Sequence, residues 1–301
     1  MSRPRRLPTL SSLLVLLPFA ASAAPGQLEI NATCAVQTGC FAGDAPGYPV
    51  TISAPGAYRL TSSLVQTEVL GISNAANGIE IVADGVDLDL AGFTIGCANP
   101  LLGRCSGSVV GISTPGPTRS GIRVSNGRVD GMSGAGIDFE EDRGAVLEDL
   151  RVTDNGGDGL RAGFYARIAR CTSLENGGDG IAAGDRSSIL QNVAESNDGN
   201  GIATMFSVIA DNVATGNGGD GIAAINSVIR HNALSHNEGD GIDSPFGSNL
   251  IGNTSLTNRG FGIVAGSSVF RDNQIAANDG GTVSGGVDAG GNACGAALSC
   301  P

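Results

Sequence analysis

The residues of this chain that could do chemistry recur at fixed places in a repeat rather than in one local motif. Asp138 follows Gly136-Ile137 and Arg161 follows Gly159-Leu160, so an acid and a base take equivalent places in consecutive repeats, with Glu140, Glu141, Asp142 and Arg143 close by. The pair reads as a catalytic or sugar-binding couple, or as an exposed salt bridge of little energetic value. Asp158, Asp179, Asp220 and Asp240 form a second set, with Asn200 at the missing place. Stacked carboxylates repel unless a cation or backbone N–H groups compensate. Ca2+ is the metal such a column would take, and a turn-forming Asp bonded to its own loop is the alternative. Phe164, Phe206 and Phe246 each stand five residues after a repeat glycine, on alternate repeats. A row of rings roughly 10 Å apart would stack on sugars, whereas rings folded over a corner would only pack. His231 and His236 flank Asn232 and Asn237 and have the chemistry of a general base or metal ligand, at places that are otherwise variable and polar.

These side chains must be positioned by the repeat itself. Gly-Ile or Gly-Leu steps fall at Gly136, Gly159, Gly180, Gly201, Gly221, Gly241 and Gly262, at intervals of 23, 21, 21, 20, 20 and 21 residues. A period of this size belongs to a solenoid. Five of the steps are led in by NGGDGL, NGGDGI, NDGNGI, NGGDGI and NEGDGI. Counting back from the opening Asn gives a column of Asn155, Asn176, Asn197, Asn217, Asn237, Asn258 and Asn278. Five residues earlier stand Leu150, Cys171, Asn192, Asn212, Asn232, Asn253 and Asn273, and three earlier again an apolar column from Leu147 through Ile168, Ile189, Ile209, Ile229 and Leu250 to Phe270. Each repeat should therefore hold about three short strands, with single inward apolar residues and with Gly or Asn at corners that need left-handed backbone. Asn side chains carry donors and an acceptor and can bond to their copies in the next repeat. Cys171, in an Asn place, reads as a buried small hydrophobe.

Gly111-Ile112 and Gly78-Ile79 extend the series toward the N-terminus, and Gly286-Val287 reads as a last irregular step. The fold expected is all-β: a single-stranded right-handed parallel β-helix of about nine coils of 20–25 residues. At one strand spacing per coil this is a rod roughly 40–45 Å long. The residue after each Gly-Ile step should face outward, which makes Ala182, Ala203 and Ala223 a flat outer column.

Residues 1–23 read as a signal peptide, with Arg3, Arg5 and Arg6, an apolar core from Leu10 to Ala20, and Ala21-Ser22-Ala23 for cleavage. The expected division is then a cap segment over 24–57, the β-helix over 58–285 and a second cap over 286–301. Removing the leader leaves 14 of the 17 basic residues against 29 acidic ones, a formal charge of −15. Such a chain is a poor partner for nucleic acid or anionic membranes. Every basic residue is Arg, which excludes Schiff-base chemistry at lysine. No apolar stretch is long enough for a transmembrane helix, and an exported monomer, periplasmic or extracellular, is expected. Six cysteines fall into close pairs, Cys34 with Cys40, Cys97 with Cys105 and Cys294 with Cys300, read as disulfides that close an inserted loop and the two solenoid ends.

The coil pattern, together with GAYRLTSSL and NGIEIVADGVDLDLAGFTI between residues 54 and 95, resembles the right-handed parallel β-helix repeat of the pectin-lyase-like superfamily. The resemblance implies a groove on one face in which the superfamily's enzymes act on polysaccharide. The Gly-His-Gly and Arg-Ile-Lys segments of polygalacturonase-like members and the Asp-Pro-His-Asp segment of epimerase-like members do not occur in this chain. A secreted, noncatalytic carbohydrate-interacting or cell-surface protein is therefore the leading expectation. A polysaccharide-active lyase, hydrolase or epimerase is the alternative, and an exported structural protein without ligand a further one.

Overall fold

The computed structural model describes residues 26–68, 75–99, 103–295 and 300; the expected signal peptide lies outside them. The chain winds as a right-handed parallel β-solenoid of about 9 turns, its strands linked into one continuous parallel sheet. Each regular turn has three faces. In successive turns the first face is built by Leu160–Phe164, Ile181–Ala183, Ile202–Met205, Ile222–Ile225 and Ile242–Asp243. The second is built by Arg167–Ala169, Ser188–Leu190, Val208–Ala210, Val228–Arg230 and Asn249–Ile251, and the third by Thr172–Leu174, Val193–Glu195, Val213–Thr215, Ala233–Ser235 and Thr254–Leu256.

In the regular turns each strand pairs in parallel and in register with the strand one turn on, so that Ile181 lies over Ile202 and Ile189 over Ile209; the register shifts between Phe139 and Arg143 and around Gly266. The interior is a stack of apolar side chains, mostly Ile: the first-face column from Leu160 to Ile263 and the second-face column from Leu147 to Phe270 are buried along their length. Burying each such aliphatic contributes about 1.5–3 kcal/mol, which is why one inward residue per short strand suffices. The third face is thinner inside, with Ser173, Ala194, Ala214, Leu234 and Ser255.

The chain turns because polar ladders satisfy the corner backbone. In both Asn columns, each Oδ1 accepts the backbone N–H and the Nδ2 of the Asn one turn before it. Asn212 Oδ1, for example, accepts from Asn192 N at 2.9 Å and Asn192 Nδ2 at 3.0 Å. Its own Nδ2 donates to Ile189 O at 2.9 Å and Asn232 Oδ1 at 3.0 Å. Asn292 adds a further rung. Cys171 crowns this ladder, its N–H donating to Asn192 Oδ1 at 2.9 Å, and burial pushes its thiol up to about 12, so it is an inert apolar filler. The third corner carries a further ladder, of serines: Ser187, Ser207, Ser227 and Ser248 donate backbone N–H to the hydroxyl of the next Ser at 2.9–3.0 Å.

Three expectations are corrected. The left-handed residue at the Asn corners is the one before the ladder Asn, as at Glu175 (φ 56°), Ser196 (54°), His231 (54°) and His236 (57°). The ladder Asn faces inward, so its solvent-side neighbour takes the strained turn. The glycines of the Gly-Ile step serve close approach instead: a Cβ on Gly201 would stand 2.6 Å from Gly221 O and 2.9 Å from Asn217 Nδ2. Finally, Gly286-Val287 is not a step of the first face, because Val287 pairs with Val269 while Val283 pairs with Ile263.

Pairing also runs past the expected cap boundaries, since Val50–Ile52 pairs with Ile79–Ile81 and Ala293–Cys294 with Gln274–Ala276. The N-terminal end is covered by a helix, Ala32–Gln37, capped by Asn31. All three close cysteine pairs are bonded: Cys34–Cys40 ties this helix to the segment after it, and Cys294–Cys300 lies at the other end. Cys97–Cys105 closes the loop inserted between the third face and the next turn.

Replacing Asn212 by Ala orphans two donors and one carbonyl among buried groups, each worth about 1–3 kcal/mol. The expected outcome is a loss of roughly 3 kcal/mol in urea unfolding, against under 1 kcal/mol for an exposed strand control such as Glu195→Ala.

Candidate functional site

The first face carries a shallow concavity of about 880 Å³. Its floor is the outward column Ala182, Ala203 and Ala223, whose members pair in register over consecutive turns. With only methyl groups projecting, the sheet is flat there. Asp158 and Asp179 stand along one side, Phe164, Asp185 and Met205 along the other, and Arg161 with Glu140 and Glu141 closes the N-terminal end. From the turn of Arg161 to that of Ala223 is about 14 Å at one strand spacing per turn.

Asp138 and Arg161 are rung partners, as the spacing anticipates. The guanidinium, however, is shared among three carboxylates: Asp158 at 3.0 Å, Glu140 at 3.1 Å and Asp138 at 3.8 Å. Partial burial works against its charge, but the attraction of Asp158, Glu140 and Asp138 outweighs this and holds the group above the ordinary Arg range. Arg161 is thus a fixed cation at the groove's end and is badly placed to lose a proton.

The aspartate column forms a ladder, bonded to the next turn rather than to its own loop. Asp158 Oδ1 accepts from Asp179 N at 2.8 Å, Asp179 Oδ1 from Asn200 N at 2.6 Å, Asn200 Oδ1 from Asp220 N at 2.8 Å and Asp220 Oδ1 from Asp240 N at 2.7 Å. The column ends with Asp240 Oδ1 accepting from Phe261 N at 2.5 Å. One oxygen of each is occupied by an N–H, and among the described residues no group of three or more His, Cys, Asp or Glu converges as a metal site. Burial raises Asp179, with the Asn200 N–H opposing it, and burial likewise raises Asp220 and Asp243.

The phenylalanines do not form one row. Tyr165 N bonds Asp185 O, Arg186 N bonds Met205 O, Phe206 N bonds Ile225 O and Asn226 N bonds Phe246 O. Phe164 and Phe246 therefore share a column with Asp185, Met205 and Ile225. Phe206 sits one place on, in the left-handed column of Tyr165, Arg186 and Asn226. The cause is length: 21-residue turns hold an additional residue in this corner, such as Gly184, which the turn starting at Gly201 lacks. Phe164 and Phe246 are four turns apart, about 19 Å. All three rings are exposed, at 41%, 50% and 60%, so they do not cover the corner. Phe164 packs against the Arg143 guanidinium, 5.6 Å from the ring centre. His231 and His236 lie apart from the concavity on two other corners, near Asp211 (3.8 Å) and Thr257 (3.4 Å). The wall residues Asp185 and Met205 escape a count made from the glycines; a count made from the inward Ile of the second face brings them into line with Phe164.

Because Asp179 and Asp220 are raised in the folded chain, their contribution to stability is present below the ordinary Asp range near pH 4 and is lost as pH rises through their folded values. Asn200 supplies the same bond without charge. The double variant Asp179→Asn, Asp220→Asn should match the parent in Tm near pH 3 and exceed it increasingly toward pH 7, as read by calorimetry across that range.

The chain matches the family model described as right handed beta helix region, over residues 71–208 and 165–293. No curated protein matches it. Among solved structures it is similar to the periplasmic alginate epimerase AlgG, at TM-score 0.54 and 14% identity over 80% of this chain and 74% of that one. It is also similar to pectate lyase Pel9A, at TM-score 0.50 and 18% identity over 80% and 70%. The Dettilon tailspike protein gp208 is a third, at TM-score 0.50 and 13% identity over 78% and 57%. At these identities the likeness is one of fold. With two matched stretches that together span most of its length, the chain belongs to the right handed beta helix family.

Proposed function

We propose that this chain is an exported, noncatalytic protein that binds polysaccharide in the first-face groove. The observation that carries the reading is the methyl floor of Ala182, Ala203 and Ala223 beneath a concavity of about 880 Å³, within the range of ligand sites. A flat apolar strip bordered by carboxylates suits a sugar chain, whose ring faces are apolar and whose hydroxyls seek acceptors. Asp158, Asp179, Asp185, Glu140 and Glu141 line the site against the single cation Arg161, which favours a neutral glycan over a polyuronate. Engagement of Arg161 by three carboxylates argues against its acting as a general base. Three disulfides support export, in the periplasm or outside the cell. The solved neighbours named for alginate epimerase and pectate lyase keep a polysaccharide-active enzyme as the second reading.

The test is a glycan array with and without calcium, followed by affinity electrophoresis on any hit and product analysis. Retention by a neutral polysaccharide is expected, with no new reducing ends and no unsaturated products. Ala203→Trp should fill the floor and weaken retention at least about tenfold with little change in Tm, since the site faces solvent. Released oligosaccharides would overturn the noncatalytic reading, and undiminished retention by the Trp variant would overturn the groove.

A further inference from the structure

The strongest unexplained feature lies on a different face. Along the third face the outward column runs Thr94, Arg128, Arg151, Thr172 and Val193, each paired in register with the next. Arg128 and Arg151 are thus like charges directly opposite one another on adjacent strands, an arrangement that costs stability unless a counter-charge is present. No other register pair among the described residues matches two cations.

Among the described residues neither arginine has a carboxylate within salt-bridge distance, although the chain is strongly acidic. Arg123, Arg161, Arg167 and Arg170 all have such partners. The nearby acids are engaged elsewhere. Asp149 takes Arg170 Nε at 2.7 Å and Arg170 Nη2 at 2.8 Å, and Asp130 Oδ1 accepts from Thr153 Oγ1 at 3.1 Å. Arg128 and Arg151, with Asn126, Asp149 and Arg170, border a concavity of about 480 Å³ at the corner between the second and third faces. Both side chains are exposed there.

We infer that the Arg128–Arg151 pair is a binding site for a tetrahedral oxyanion, a sulfate or phosphate group free or esterified on a small molecule. A carboxylate presents one edge and is met by one guanidinium fork. A tetrahedral oxyanion offers oxygens to two forks one strand spacing apart, about 4.8 Å. The hydroxyl-bearing Thr94 and Thr172 stand next in the column on either side. The high negative charge of the rest of the chain selects against a long polyanion, so the ligand carries its charge locally. The site is independent of the first-face groove.

The full chain is titrated at constant ionic strength, with chloride as the balancing ion, against inorganic sulfate, inorganic phosphate, glucose 6-sulfate and glucose 6-phosphate, with Tm and calorimetric heat as readouts. Saturable rises in Tm are expected, and the ester arms tell whether the group is taken free or on a sugar. Arg128→Gln and Arg151→Gln should each start from a higher ligand-free Tm, because the repulsion is relieved, and should lose the saturable response; Arg230→Gln should keep it. A response equally present in the double variant, or none in the parent, overturns the site.

Discussion

The fold depends on the fate of the backbone N–H groups at the corners. A chain that turns three times in about twenty residues cannot pair all of its corner backbone within strands, and orphaned buried donors are costly. The Asn ladders meet this demand by giving each amide four partners spread over three turns, as at Asn212. Because every rung binds the next, the spacing and register of the turns are set at the corners, and the strands between need little more than one inward side chain each, as small as Ala or Ser on the third face.

The same device, moved to solvent, shapes the candidate site. The Asp158–Asp240 column repeats the side-chain-to-next-turn bond of the Asn ladder, but with charge, on the corner that borders the groove. Those carboxylates hold the loop glycines close to one another and at the same time make the groove acidic. One set of atoms thus both ties the corner and sets the charge of the groove, and burial lays on Asp179 and Asp220 an electrostatic cost that Asn200 avoids.

Charge on the remaining surface is arranged by rung rather than by local sequence. Glu148 draws together Arg123 from the turn before it and Arg167 and Arg170 from the turn after it, at 2.8–3.4 Å. Arg161 gathers its three carboxylates from two turns and the insertion between them. Arg128 and Arg151 differ from these in being two cations paired in register on adjacent strands, a feature set by stacking rather than by any local signature.

The amino-acid sequence by itself determined the solenoid, the inward Ile and Leu columns, both Asn ladders and the cysteine pairing, because each is repeated at a nearly constant period or lies close in the chain. Tertiary structure decided what depends on a single residue of offset. Whether a turn has 20 or 21 residues moves Phe206 out of the column of Phe164 and Phe246 and brings Asp185 and Met205 into the groove wall. The same offset makes the Ser ladder visible only once the second-face strands are aligned, and separates Gly286-Val287 from the first face. Which residue takes the left-handed turn was also a tertiary matter: the ladder bonds hold the Asn in place, and the strain passes to its neighbour. The groove and the Arg128–Arg151 rung arise in the same way, from residues some twenty positions apart that only stacking brings within a strand spacing of each other.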